Sequence, residues 1–461
     1  MIDATPIAPN FVPAPKEAPV LRGMPVFGNL FDIRKNPMSV FMRAASFEED
    51  VVNIPVGPRN VFLVRRPEHV KYVLQDNVKT FSKRTRGYEA LRLVLGNGLL
   101  TSEGDFWLRQ RRLAQPSFHR QRIAGFGQKM TELTGQMLET WLPKAVRREQ
   151  FDVAREMMAL TLRIVGWTLL GTEVGPDSPA VGKALTVLLH QVIRRTTVLL
   201  KLPSWAPTPS HFILNRARSQ LDRVVTKVVE ERRRAGGGGE DLLGMLMSAR
   251  DEETGQSMSN EQLRDEVMTI FLAGHETTAN ALTWTLYLLS HHPEIRARLE
   301  REVDAALGGR VPGFVDLPKL TYPLAVVQEA MRLYPPVALL MRRAEKEDSI
   351  GGYRIPNQVF VAVSPYVTHR DPTVFPNPES FEPDRFVGER AASIPRFAYL
   401  PFSSGPRICI GNNFALMEAQ LVLSMIVQRY RLDLVRGHPV EPESAVTLRP
   451  RYGMKMTIAS R

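Results

Sequence analysis

The chain has 461 residues, 44% of them hydrophobic, which is enough for one large core and too apolar for a disordered polypeptide. Lys and Arg outnumber Asp and Glu by 60 to 48, a formal charge of +12, and the single cysteine excludes any intrachain disulfide. The charge excess favours acidic partners, but no dense Lys/Arg run marks a nucleic-acid site, and Glu231-Arg232-Arg233-Arg234 reads as a solvated helix end.

Residues 1–22 are proline-rich and predict an extended arm, with no apolar stretch long enough for a signal peptide or membrane anchor. Residues 23–461 are expected to form a single domain, mainly α with small β-sheets (α+β). Val51–Val56 and Asn60–Val64 read as strands joined by a turn at Gly57-Pro58-Arg59. From Pro67 to Ser290 the pattern is helical with short breaks. Gly236–Gly239 lacks the preceding strand and following Lys-Ser/Thr of a phosphate cradle, and is expected to be a flexible loop tip. Ser259-Asn260-Glu261-Gln262 is a capping box, so a helix of on the order of 45 Å should run from there to about Ser290. Val267–Leu289 could be mistaken for a membrane span, but Glu276 at its centre favours a helix inside a protein core. Further helices reach Tyr334, short strands lie within Ile350–Val363, and Thr447–Ile458 predicts a hairpin around Gly453.

The chemistry gathers around Cys409. Phe402-Ser403-Ser404-Gly405-Pro406-Arg407-Ile408-Cys409-Ile410-Gly411 has the form F-x-x-G-x-R-x-C-x-G, with two glycines where the backbone turns or approaches a neighbour closely. The helix-like run Phe414–Ala419 follows, placing the thiol at a helix N-terminus, where unpaired N–H groups favour the thiolate. With no second cysteine nearby, an anionic sulfur suits one metal bond better than a zinc cage. The alternative is an inert buried cysteine. On the long helix, Ile270, Ala273 and Thr277 share one face, and the Thr277 hydroxyl can bond the Ala273 carbonyl.

The cysteine loop resembles the ligand loop of the cytochrome P-450 superfamily, the haem-thiolate monooxygenases, and here the soluble bacterial type. Five further features agree with that resemblance: Ala273-Gly274-His275-Glu276-Thr277-Thr278, Glu329-x-x-Arg332, Pro383-Asp384-Arg385-Phe386, Trp107-x-x-x-Arg111 and the strand carrying Arg342. The resemblance implies a single-domain fold with haem b held between the long helix and the helix after the cysteine loop. Cys409 would be the axial ligand. Glu276 and Thr277 would relay protons during oxygen activation, with His275 only a packing or surface residue. Phe402, Gly405 and Ala273 would contact the haem. Trp107, Arg111, Arg407 and Arg342 would reach its propionates, Arg343 being the competitor for the last role. Glu329, Arg332 and Arg385 would form a structural charge triad.

The expected reaction inserts one oxygen atom from O2 into an apolar substrate: a fatty acid, terpenoid, steroid or polyketide. Electrons would come from NAD(P)H through a separate ferredoxin or flavodoxin, docking near the cysteine loop with Arg109 and Arg112 as candidate contacts. The alternatives are a peroxide-driven or rearranging haem-thiolate enzyme, and a haem sensor or carrier. Glu276-Thr277 argues against both. The pocket is expected from Val94, Leu95, Leu99, Leu100, Leu339, Leu340 and Met341, with a cytoplasmic monomer as the working form.

Overall fold

The structure is a computed structural model that describes residues 15–171, 208–234 and 236–461, with 184, 187, 188, 191 and 192 between them. The first part of the arm and the helices expected within 172–207 lie otherwise outside the described residues. Strands β1 (Val51–Val56) and β2 (Arg59–Val64) pair antiparallel as the Gly-Pro turn requires. They open a five-stranded sheet, order β1-β2-β8-β5-β3, with β3 (Phe81–Ser82), β5 (Leu340–Ala344) and β8 (Phe360–Val363). Between β5 and β8 lies the short pair β6 (Asp348–Ile350) and β7 (Tyr353–Ile355).

The principal helices are α1 (Arg86–Leu95), α2 (Gly104–Ala114), α3 (Gly127–Val146), α4 (Val153–Leu170), α5 (Pro209–Arg234), α6 (Asn260–His291), α7 (Thr321–Leu333) and α8 (Asn412–Arg429). Helix α6 has 32 residues and starts at the predicted capping box: Ser259 Oγ accepts from Gln262 N–H at 3.2 Å, and Gln262 Oε1 from Ser259 N–H at 2.8 Å. It runs through the largest hydrophobic cluster. Gly274 lets α4 approach, since a Cβ there would lie 2.8 Å from Val165 Cγ2. Thr161 Oγ1 then donates to the His275 carbonyl at 2.9 Å. Among the described residues no helix is long and apolar enough to cross a membrane.

Two expectations fail. The residues flanking Gly453 do not pair with each other. Strand β11 (Leu448–Pro450) pairs β10 (Pro442–Ser444), whereas β12 (Lys455–Ser460) enters a separate sheet between β4 (Gln150–Asp152) and β9 (Tyr430–Leu434). Apolar positions of β12 (Met456, Ile458) are buried in the main cluster, and a local hairpin would leave them outside it. The glycine run is also not a loose tip. Gly236–Gly239 all take positive φ and fold back under α5, where Arg232 Nη1 donates to the Gly238 carbonyl at 3.0 Å and pairs with Asp241 at 2.6 Å. Four consecutive left-handed positions need glycine.

Candidate active site

Cys409 closes a tight loop in which its N–H donates to the Phe402 carbonyl at 3.0 Å. Gly405, at φ +72, has no room for a side chain, because a Cβ would overlap the Leu74 carbonyl. Gly411 does not need its glycine for the turn, its φ being −93°; its N–H bonds the Cys409 sulfur as α8 begins at Asn412. The cysteine side chain is exposed into a cavity of about 310 Å³. Burial pushes the free thiol up, against the opposing pull of the Gly411 N–H, Arg111 and Lys83. The helix N-terminus alone therefore does not deliver a thiolate here; desolvation outweighs it, and a bound cation would have to reverse the balance.

Opposite the sulfur stands the cavity face of α6, with Ile270, Ala273 and Thr277 all in the lining. Thr277 Oγ1 donates to the Ala273 carbonyl at 2.7 Å. Glu276 also lines the cavity but is buried, and its carboxyl is pushed up by burial, held back by a Thr447 hydrogen bond and by Arg449. His275 faces the core: its Nδ1 lies 3.0 Å from the Phe271 carbonyl, and burial lowers it to about 4. It is a packing residue.

One edge of the cavity is strongly cationic. Trp107 and Arg111 face it from α2, Arg342 from β5, and Arg407 from the cysteine loop. Arg407 lies 3.9 Å over the Trp107 ring, donates to Ser102 O at 2.9 Å and pairs with Glu103 at 3.1 Å. Arg111 Nη1 donates to the Ile408 carbonyl at 2.9 Å. The ambiguity between Arg342 and Arg343 disappears because strand neighbours point to opposite faces: Arg342 lines the cavity, and Arg343 pairs with Glu345 at 2.8 Å. Sequence reasoning missed Lys83. Its Nζ donates to Leu100 O at 3.2 Å within the same lining, and a lone lysine before α1 carries no motif.

Burial, Arg342 and Arg407 hold the Lys83 ammonium well below its usual range; burial, opposed by Glu103, brings Arg407 to about 10. Four buried or half-buried cations around one carboxylate call for further negative charge. The two carboxylates of a haem meet that demand, with the thiol of Cys409 on one side and small Ala273 on the other. The residues present therefore fit haem.

Behind the loop, Arg332 and Glu329 are fully buried and joined through Nε–Oε2 at 2.7 Å and Nη2–Oε1 at 2.8 Å. Arg332 also donates to the carbonyls of His369, Pro378 and Ser380, and Arg385 approaches Glu329 at 3.4 Å. Missed at the sequence level was His369, whose Nε2 accepts from Leu400 N–H at 2.7 Å and links this network to the segment entering the cysteine loop. Also unforeseen is Glu418 on α8, buried beside Thr278, where burial pushes it well up against the opposing pull of the Thr278 hydroxyl.

Some expected residues fall elsewhere. Leu99, Leu100 and Leu340 line the cavity, but Leu339 packs into the cluster on the far side of the five-stranded sheet, as strand alternation dictates. Met341 joins it there, and Val94 and Leu95 turn into the main core. Val337 and Pro336 take their place. Arg112 is not a free docking charge, because it pairs with Asp251 at 3.0 Å and Glu253 at 2.8 Å; Arg109 donates to Ser257 O at 3.2 Å. Both tie α2 to the segment before α6.

A family model for cytochrome P-450 matches residues 18–457. The chain is 38% identical to cyclooctatin synthase of Streptomyces melanosporofaciens, over 92% of each protein. It is 34% identical to cyclooctat-9-en-7-ol 5-monooxygenase of the same organism over 95% of each. It is 30% identical to pentalenene oxygenase of Streptomyces avermitilis, over 95% of this chain and 96% of that one. Among solved structures, the cytochrome P450DA heme domain superposes with a TM-score of 0.89 at 28% identity, covering 97% of this chain and 99% of that one. The sulfur-lined cavity, the buried Glu329–Arg332 pair and these likenesses agree: the chain belongs to the cytochrome P-450 family of oxygen-incorporating oxidoreductases.

Proposed function

We propose that this enzyme hydroxylates or epoxidises a cyclic terpenoid, taking electrons from NAD(P)H through a separate acidic ferredoxin or flavodoxin. The observation that carries the reading is the apolar cavity between Cys409 and the Ala273–Thr277 face of α6, in a chain whose relatives include cyclooctatin synthase, cyclooctat-9-en-7-ol 5-monooxygenase and pentalenene oxygenase. The overall change is R–H + O2 + 2e⁻ + 2H⁺ → R–OH + H2O. Haem, ligated by Cys409, would supply the oxygen-activating chemistry.

The chain's own residues do the rest. Lys83, Trp107, Arg111, Arg342 and Arg407 would fix the propionates and Phe402, which lines the cavity, would contact the ring; Gly405 does not line it, and instead lets the loop pack on Leu74. Leu99, Leu100, Val337 and Leu340 exclude water and hold the apolar substrate. Glu276, its carboxyl pushed up by burial, would pass protons toward Thr277, whose hydroxyl both donates and accepts. This pair supports a monooxygenase over a peroxide-driven enzyme or a carrier, neither of which needs a proton relay. The test is turnover of a panel of cyclic terpenes, fatty acids, steroids and polyketides with a surrogate ferredoxin system under ¹⁸O2. One labelled oxygen in a terpenoid product is expected; turnover confined to another class would overturn the terpenoid reading.

A further inference from the structure

Two side chains of α6 staple the turn between β10 and β11 onto the helix. Asn280 Nδ2 donates to Thr447 Oγ1 at 3.0 Å, and Trp284 Nε1, one turn further along, donates to the Leu448 carbonyl at 3.0 Å. Asn280, Trp284 and Thr447 are all buried. The Leu448 N–H donates in turn to the Pro336 carbonyl at 2.9 Å, so the turn is held from two sides. It brings Val446 and Thr447 into the cavity lining, where Thr447 meets Glu276.

The order of donors in this cluster runs one way. A hydroxyl carries a single hydrogen, and the amide nitrogen of Asn280 can only donate. Thr447 Oγ1 therefore accepts from Asn280 and keeps its own hydrogen for the Glu276 carboxyl, which lies one helical turn before Asn280 on α6. Other threonines of α6 are spent locally: Thr283 and Thr285 each return their hydroxyl to the carbonyl four residues back, at 2.7 Å. Arg449, on β11, acts on Glu276 through its charge alone and is itself paired with Glu443 at 2.8 Å. The hydroxyl that touches the carboxyl thus comes from the turn, not from the helix.

We propose that Thr447 is a positioning residue for proton supply: fixed by Asn280, its hydroxyl holds one oxygen of the Glu276 carboxyl and leaves the other to face the cavity and Thr277. The proposal rests on the Glu276–Thr277 relay of the reading above. A glutamate side chain turns about several bonds, and proton transfer requires its acid group within reach of the acceptor in one orientation. Holding one oxygen selects that orientation before the reaction begins. The bond also opposes the effect of burial on Glu276, so removing the hydroxyl should raise the carboxyl further.

The test compares Thr447→Val and Thr447→Ala, which lack the hydroxyl, with Thr447→Ser, which restores it. In the haem-loaded enzyme without substrate or reductant, the infrared C=O band of the protonated Glu276 carboxyl is identified by its absence in Glu276→Gln and followed across pH. The pH at which the band is lost should rise in Thr447→Val and Thr447→Ala and return to the wild-type value in Thr447→Ser. During turnover, product formed per NAD(P)H oxidised should fall about 10-fold in the two variants without the hydroxyl and recover in Thr447→Ser. Their solvent deuterium isotope effect on product formation should exceed that of the wild type. A band and a coupling ratio unchanged in Thr447→Val and Thr447→Ala would overturn the positioning role. A lower Tm with both readouts unchanged would make Thr447 only a staple of the turn, and so also overturn it. Coupling lost in Glu276→Gln but kept without the Thr447 hydroxyl would overturn this proposal and leave the relay standing. Coupling kept in Glu276→Gln would reject the relay and the proposal with it.

Discussion

Thr277 lies on the cavity face of α6 with its hydroxyl tied to Ala273 O, whereas Glu276 points into the buried space beside Thr447. The two side chains therefore leave the helix in different directions, and a proton passing between them needs a bridging water. Thr277→Ala should leave folding and haem content intact but lower product formation on the order of 10²-fold, with reductant still consumed. Product formed per NAD(P)H oxidised measures this, and unchanged coupling would remove Thr277 from the relay. Cys409, Thr277, Trp107, Arg111 and Arg407 were legible in the sequence because each sits in a spaced motif. Lys83, His369 and Glu418 were not, because their significance comes from neighbours 17 or more residues away in sequence or from burial alone.

Elements act here as clamps. Arg332 on α7 makes five hydrogen bonds, two to Glu329 and three to backbone carbonyls from the stretch between β8 and the cysteine loop. Lysine has no planar fork to reproduce them, so Arg332→Lys should leave Glu329 partly uncompensated and cost about 3–5 kcal/mol. Chemical denaturation would show the loss, together with weakened haem retention. The clamp between α6 and the Gly96–Thr101 loop, in which Asn97 N–H donates to Asp265 Oδ2 at 2.6 Å and Leu99 N–H to Glu266 Oε2 at 3.1 Å, makes a second prediction. Glu266 has a folded pKa of about 8, raised from 4.5 chiefly by burial. The folded state thus holds a proton that the unfolded state has released, and the stability this group adds is full below about pH 4.5 and lost as pH rises through about 8. Glu266→Gln keeps an acceptor for Leu99 N–H and cannot ionise, so the fall in Tm between pH 6 and 9 should be shallower in the variant. Parallel Tm profiles would show that Glu266 is not the titrating group.

For the whole molecule, the formal charge of +12 biases the surface toward acidic partners. A second hollow of about 490 Å³ opens beneath the cysteine loop, lined by Gln75, Gln328, Arg396, Ser403, Pro406 and Asn412. A redox partner docked on this outer face would come close to Cys409, and Arg396 replaces Arg109 and Arg112 as the cation to test. The second-order rate of reduction by an acidic ferredoxin should fall steeply as salt rises, because the Debye length shrinks from about 10 Å at 0.1 M to about 3 Å at 1 M. Arg396→Glu should lower the low-salt rate toward the high-salt value without altering terpene binding. A salt-independent rate measured by stopped flow would reject electrostatic docking.

The sequence by itself determined the family, the loop that carries the cysteine, the length and start of α6 and the mainly helical class. These depend on local spacing: a capping box, an i, i+3, i+7 face, a ten-residue loop pattern. It could not decide that β12 joins β4 and β9 rather than folding back on β11, since the choice turns on where Met456 and Ile458 find a core. Nor could it show that Arg112 is spent on Asp251 and Glu253, that Leu339 faces away from the cavity, or that four cations crowd one edge of it. Pairing, facing and desolvation are properties of side chains brought together from distant parts of the chain. Only the tertiary structure sets them, because the energy of a charge or an unpartnered oxygen depends on what surrounds it in space.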